Sequence, residues 1–286
     1  MSPTKAKSVL LIAGPTASGK SAVAIDKARD QDGVVINADS MQVYRELRVI
    51  TARPNVEDEA SVPHRLFGHI YAAAEYSTAA WLAEAEREIS ECWERGKLPI
   101  VCGGTGLYFM ALEMGLAKLP PIDPEIREKW RNFQGNLHVE LQQRHPPSAE
   151  SLNPADRQRL VRSLEVLEST GKPLIEWQKK ANESSILQDA NITRIFMDVP
   201  RDELYARAER RIDQMLAQGA LDEIRALPPL DLAQPLMKAI GVPELLAYIK
   251  NEITLEVATT KAKTATRHYI KRQLTWWRGQ GKHWFT

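Results

Sequence analysis

Gly14-Pro15-Thr16-Ala17-Ser18-Gly19-Lys20-Ser21 is the stretch on which the fold turns. It fits G-x-x-x-x-G-K-[ST], a glycine-rich loop whose backbone N–H groups wrap a di- or triphosphate, whose lysine neutralises it and whose last hydroxyl can ligate Mg2+. The flanks agree. Ser8–Ala13 is a short apolar run suited to a buried parallel strand, and Lys20–Arg29 carries Ala, Val and Ile at helical spacing, so a bound anion would meet a helix N-terminus. Outward from the loop, short apolar runs alternate with helical patterns: a strand at Gly33–Asn37, a helix at Thr78–Arg95 and a strand at Leu98–Cys102. That alternation predicts an α/β fold of the P-loop NTPase type, a parallel sheet flanked by helices that binds ligands at the carboxyl ends of its strands. Asp39-Ser40-Met41-Gln42 follows the second strand and Gly103-Gly104-Thr105-Gly106 the later one, so both are expected to meet the phosphate loop in one cleft.

The 286 residues suffice for one sizeable core plus a smaller appended domain. Residues 119–191 change character, with Pro pairs at 120–121 and 146–147 and helical patterns between them, and read as an all-helical insertion. Residues 1–118 form the first part of the core. Residues 192–286 return to it through a strand at Thr193–Val199, a helix at Asp202–Leu216 and C-terminal helices. Net charge is only +1, yet from Ala258 onward there are seven cations and no acid, a local excess suited to a polyanion. Cys92 and Cys102 make neither a disulfide framework nor metal-ligand spacing and are expected as small core residues. No apolar stretch of membrane-spanning length and no secretory segment appears, so a reduced cytoplasmic enzyme is the expectation.

Asp39 ends a strand beside the phosphate loop, where it could bind Mg2+, act as a general base or cap a following helix. Asp198 competes as the carboxylate of a nucleotide hydrolase, or closes a turn. Arg207 and Arg211, four apart with Arg210 beside them, form either a cationic face for a pyrophosphate or a solvated stripe. Arg157, Arg159 and Arg162 either grip phosphates or pair with Glu165 and Glu168 on the same helix. Lys263, Arg267 and Lys271 flank the apolar seam of the last helix, and Trp276-Trp277 either stack on bases or pack in the core. His64 is expected as a hydrogen-bonded structural residue.

Blocks running in order along nearly the whole chain carry a family resemblance: the phosphate loop (14–21), Asp-Ser-Met-Gln-Val-Tyr (39–44), Val-Pro-His (62–64), Tyr-Ser (76–77), Gly-Gly-Thr-Gly-Leu-Tyr (103–108), Gln-Arg-Leu-Val-Arg-Ser-Leu-Glu-Val (158–166), Thr-Gly-Lys-Pro (170–173), Arg-Ile-Asp-Gln-Met-Leu (211–216) and Lys-Arg-Gln-Leu-Thr-Trp (271–276). The sequence resembles the bacterial tRNA dimethylallyltransferases. The resemblance implies transfer of a dimethylallyl group from its diphosphate to N6 of the adenine at position 37, just 3′ of the anticodon. It further implies that Asp39 is the general base and that Thr105, Arg211 and Gly14, Pro15, Thr16, Ala17, Ser18, Gly19, Lys20 and Ser21 hold the departing diphosphate with Mg2+, Ser21 being the metal ligand. Contacts to the tRNA anticodon stem-loop would fall on Asp39, Ser40, Met41, Gln42, Thr105, Arg127, Gln158, Arg159, Leu160, Val161 and Arg162. A monomer is expected. One segment departs from the family pattern: Ile240-Gly241-Val242-Pro243-Glu244 stands where Ile-Gly-Tyr, a charged residue and Glu are usual. An enzyme that prenylates free AMP shares the loop and base but has no use for the Arg157–Arg162 block. A small-molecule kinase would need Asp198, and a non-catalytic tRNA-binding module would not need Asp39, Lys20 and Ser21.

Overall fold

The computed structural model describes residues 7–74, 76–117, 119–179, 185–229, 231 and 234–285. The run Ser8–Ala13 forms strand β1, and its buried apolar residues from Val9 onward put it inside the sheet rather than at an edge. The chain continues through helix α1 (Lys20–Asp30), β2 (Gly33–Asn37), α2 (Val56–Ser61), β3 (His64–Arg65), α3 (Thr78–Glu94), β4 (Leu98–Gly103) and α4 (Gly106–Met114). Five helices follow: α5 (Pro124–Asn132), α6 (Leu137–Arg144), α7 (Pro146–Glu150), α8 (Arg157–Thr170) and α9 (Leu174–Lys179). The chain then passes through β5 (Asn191–Phe196), α10 (Arg201–Ala217), α11 (Ala220–Arg225), α12 (Val242–Ile249) and α13 (Leu255–Gln280). The sheet order is β3-β2-β4-β1-β5, and every neighbouring pair is parallel. Each strand therefore ends at the same edge, which puts the loops after β1, β2 and β4 together.

One face of the sheet buries Leu10, Ile12, Val35, Ile100 and Cys102 against Ala24 and Ala28 of α1. On α3, Trp81 is fully buried and its Nε1 donates to Asn37 O at 2.7 Å, tying that helix to the strand end that precedes Asp39. The long segment after β2 packs Val43, Tyr44, Leu47 and Ile50 onto Ile212, Met215, Val242 and Ala258 of the late helices. Glu223 fastens the segment by accepting from Arg48 N, Val49 N and Ile50 N at 2.6, 2.8 and 2.8 Å. Among the described residues no helix is long and apolar enough to cross a membrane.

The returning strand starts and ends earlier than Thr193–Val199. Its register explains why: Ser8 pairs with Asn191 and Ala13 with Phe196, so β5 stops where β1 turns into the phosphate loop. The chain forms two compact units, Met1–Leu112 with Ile186–Thr286, and Glu113–Ser185. The second begins and ends six residues before the insertion expected at 119–191. Its regular elements among the described residues are helices, and the last residues of the expected insertion belong instead to the sheet unit, where Leu187 is buried and Asn191 N donates to Lys7 O. Trp130, Leu137, Leu141, Leu160, Val161 and Leu164 form the core of the helical unit.

Gly103 closes β4 where a Cβ would lie 2.1 Å from the backbone C and O of Ala38. Gly103→Ala is therefore expected to push β2 and β4 apart at the edge that carries Asp39 and to lower stability by about 1–3 kcal/mol, read as a lower denaturation midpoint.

Candidate active site

The phosphate loop takes its shape from two residues in the left-handed region, Ala17 (φ 64°) and Gly19 (φ 86°), the latter being the N-cap of α1. Glycine adopts that conformation without steric cost. Helix α1 has no side-chain cap and no acidic residue in its first turn, so its leading N–H groups and dipole face an anion unopposed. Ser18 Oγ is buried without a hydrogen-bond partner, and Lys20 Nζ donates to Pro15 O at 3.3 Å. Burial pushes the Lys20 ammonium below its usual pKa, opposed by the nearby Asp39 carboxylate. From α10, Arg211 reaches across to donate to Thr16 Oγ1, while its buried Nε has no partner. Its pKa is likewise lowered by burial and raised by Asp39. Cationic donors left this incompletely satisfied fit an anion that brings its own acceptors.

Asp39 is held by the side chain of Asn37, which is fully buried: Asn37 Oδ1 accepts from Asp39 N at 2.8 Å and Nδ2 donates to Asp39 O at 3.0 Å. No helix starts after Asp39, so it is not a helix cap. Its Oδ1 accepts from Met41 N at 2.9 Å in a tight local turn. Oδ2 has no hydrogen-bond partner among the described residues, and a Cβ built on Gly104 would stand 3.7 Å from it and 3.4 Å from Gly14 O. Gly104 thus sits between the phosphate loop and the carboxylate. Thr105 Oγ1 accepts from Ser40 N at 3.0 Å and donates to Ser40 Oγ at 3.3 Å, while Thr105 N donates to Ala38 O. The three loops expected in one cleft are hydrogen-bonded or packed to one another.

A cavity of about 260 Å³ opens beside them, lined by Asp39, Met41, Ile50, Arg211, Met215 and Tyr269 among others. Its mixture of apolar wall and few convergent polar groups suits a small apolar substrate with a charged end. Tyr269 on α13 keeps its phenol proton, because burial and then Asp39 push its pKa up. Tyr269 and Gln273 were not singled out from sequence. The available signal was a polar residue inside an apolar seam, since Thr266 and Gln273 lie on the buried stripe with Ile270, Leu274 and Trp277.

Other candidates fall elsewhere. Asp198 lies beyond the end of β5, is exposed and does not line the cavity. Ser21 is exposed at the first turn of α1. Arg207 pairs with Glu203 while its Nη1 lies 4.0 Å from where a Cβ on Gly19 would stand, and Arg210 is exposed; of these three arginines only Arg211 lines the cavity. Gln42 spends its Nε2 on Thr51 O and Ala52 O at 2.9 and 3.2 Å. On α13, Lys263 pairs with Asp213 and Arg267 with Glu209, so these two cations bind α10. Trp277 is buried, and half-buried Trp276 packs so tightly on Gly106 that a Cβ there would come within 2.1 Å of its ring. His64 Nδ1 bonds Val62 O at 2.9 Å. Both cysteines are buried, their thiols pushed up to about 11 for Cys92 and about 12 for Cys102 mainly by burial. Gly241, in the departing segment, adopts φ 98° at the start of α12 and donates its N–H to Glu244.

Within the helical unit, Gln158 and Arg159 are exposed on α8 and Arg162 is half-buried. At 1% and 9% exposure the side chains of Leu160 and Val161 belong to the unit's core, because α8 turns that stripe inward. Arg157 donates to Arg131 O and Phe133 O, Arg159 pairs with Asp156, and Arg162 pairs with Glu165. Glu168 pairs with Lys129 rather than with the arginines of its own helix. Arg127 on α5 is half-buried with its Nε unpartnered.

The chain matches the family model described as IPP transferase over residues 42–280 and the one described as isopentenyl transferase over residues 7–67. It is 46% identical over 282 residues to the tRNA dimethylallyltransferase of Azorhizobium caulinodans, covering 96% of this chain and 90% of that one. To the tRNA dimethylallyltransferase of Rhodopseudomonas palustris strain BisB18 it is 49% identical over 285 residues, covering 97% and 90%. Among solved structures it is similar to a eukaryotic dimethylallyltransferase acting on tRNA (TM-score 0.81, 28% identity, 95% of this chain and 70% of that one). It is also similar to the tRNA isopentenylpyrophosphate transferase of Bacillus halodurans (TM-score 0.66, 33% identity, 96% and 88%). Identity of this size, sustained along almost the whole of two bacterial enzymes and matched by the fold, means that the chain belongs to the tRNA dimethylallyltransferase family.

Proposed function

We propose that this enzyme transfers a dimethylallyl group from dimethylallyl diphosphate to N6 of the adenine at position 37 of tRNA, releasing diphosphate. The observation that carries the proposal is Asp39 Oδ2, unpartnered among the described residues and facing the Gly104 backbone that separates it from the phosphate loop. An exocyclic adenine amine is a weak nucleophile because its lone pair is delocalised into the ring. A fixed carboxylate that accepts the N6 proton as the N–C bond forms offsets that weakness. The allylic C–O bond breaks as negative charge builds on diphosphate, where the α1 N-terminus, Lys20, Arg211 and the Thr16 and Ser18 hydroxyls supply donors. Thr105 supports the step by holding the Ser40 backbone next to Asp39.

Among the described residues no group of three or more His, Cys, Asp or Glu is placed to hold a metal ion. Mg2+ keeps several waters and takes phosphate oxygens with one or two protein ligands, a role that the Ser21 hydroxyl in the first turn of α1 fits. Ser21 is the residue that would hold it, and when bound it would neutralise charge on the leaving diphosphate. A monomer as the active species belongs to the same proposal. For RNA contact the helical unit offers Arg127, Gln158, Arg159 and Arg162. The adenine must leave its stack to reach Asp39, at a cost of a few kcal/mol that is smaller in a single-stranded loop. A cytoplasmic location belongs to the same proposal.

The test is transfer of labelled dimethylallyl to an anticodon stem-loop with adenine 3′ of the anticodon, run beside AMP and an ATP-hydrolysis control. Label on the RNA alone is the expected result. Label on AMP, or ATP turnover without label, would overturn it.

A further inference from the structure

Gln273 is 6% exposed in the buried seam of α13, and both ends of its amide are used on distant backbone. Its Oε1 accepts from Thr16 N of the phosphate loop at 3.0 Å, and its Nε2 donates to Gly104 O at 3.0 Å. A carboxamide carries a donor and an acceptor on one planar group, so this orientation satisfies an N–H of one loop and a C=O of the other together. The approach is close: a Cβ on Gly104 would lie 2.5 Å from Gln273 Nε2. Thr16 is then held from two sides, by Gln273 at its N–H and by Arg211 at its hydroxyl. Gly104 leads to Thr105, which accepts from Ser40 N beside Asp39. One amide therefore links the phosphate cradle to the carboxylate.

We propose that Gln273 is a positioning residue that locks the phosphate loop to the Gly103–Gly106 loop and so sets the diphosphate against Asp39. It touches neither reacting atom. Its effect is alignment, where displacement of about 1 Å costs about 100-fold in rate. This rests on the transfer reaction proposed above.

Two near-isosteric variants test it. Gln273→Met keeps volume but leaves Thr16 N–H and Gly104 C=O unpaired. It is expected to raise the donor KM and lower kcat, with kcat/KM down about 10- to 100-fold and stem-loop affinity unchanged. Gln273→Glu keeps the acceptor for Thr16 N–H, but its carboxylate opposes Gly104 O. Protonation restores an O–H donor, so its activity relative to wild type is expected to recover as pH falls. A packing role would lower the melting temperature of both variants in parallel, with no pH-dependent recovery. Wild-type donor KM and kcat in Gln273→Met would overturn the proposal. Binding of inorganic pyrophosphate with Mg2+, followed by calorimetry, gives a readout that needs no transfer. If wild type transfers nothing to RNA, the reaction proposal fails, while weaker pyrophosphate binding in Gln273→Met would still support the tie and equal binding would overturn it.

Discussion

Asp39→Asn is expected to bind the tRNA stem-loop as wild type does and to lose about a thousandfold in the rate of dimethylallyl transfer, within the span assigned to a general base. Asparagine keeps an oxygen for Met41 N and the backbone bonds to Asn37, so the loop between β2 and α2 holds its shape. What it loses is the second carboxylate oxygen as a proton acceptor. Single-turnover transfer and a gel-shift titration with the same RNA separate the two effects. A variant that turns over at the wild-type rate would remove Asp39 from the base role, and one that fails to bind RNA would make Asp39 a recognition residue instead.

Lys20→Met is expected to separate function from stability. Removing this ammonium takes a charge from the leaving diphosphate and is expected to lower kcat/KM by about 100-fold or more. Stability moves the other way. Burial lowers the folded-state pKa of Lys20, so below its unfolded pKa the folded protein binds this proton less readily than the unfolded chain does. The charged side chain therefore costs stability at neutral pH, and that cost fades as pH rises through the folded and then the unfolded pKa. A neutral side chain of similar length removes it, so the melting temperature of Lys20→Met without substrate is expected to equal or exceed that of wild type. A variant that melts lower while keeping activity would show that Lys20 holds the loop through Pro15 O rather than the diphosphate.

Tyr269 and Gln273 mark where sequence reading ran out. Both sit on a helix whose apolar seam is plain in the sequence, yet nothing local says that this seam faces the phosphate loop. Thr16 and Gln273 are 257 residues apart and meet only because α13 packs beside the phosphate loop within the sheet unit. Leu160 and Val161 show a different effect of packing. A block assigned to RNA contact as a whole is split by helix geometry, which leaves Arg159 outside and turns the two apolar residues inward. Lys263 and Arg267 lost their place in a basic face to Asp213 and Glu209, partners from another helix that spacing along α13 could not reveal.

Short-range chemistry was decided within the chain's own order. The phosphate loop needs a strand before it, a helix after it and glycine at a left-handed position, and alternating apolar runs require a parallel sheet whose loops gather at one edge; these depend on neighbours in sequence. Tertiary structure alone decided which oxygen of Asp39 is left open, which of three neighbouring arginines enters the cavity and which side chain joins two loops. Those outcomes depend on groups brought together from opposite ends of the chain, and on burial, which gives a polar atom without a partner its consequence.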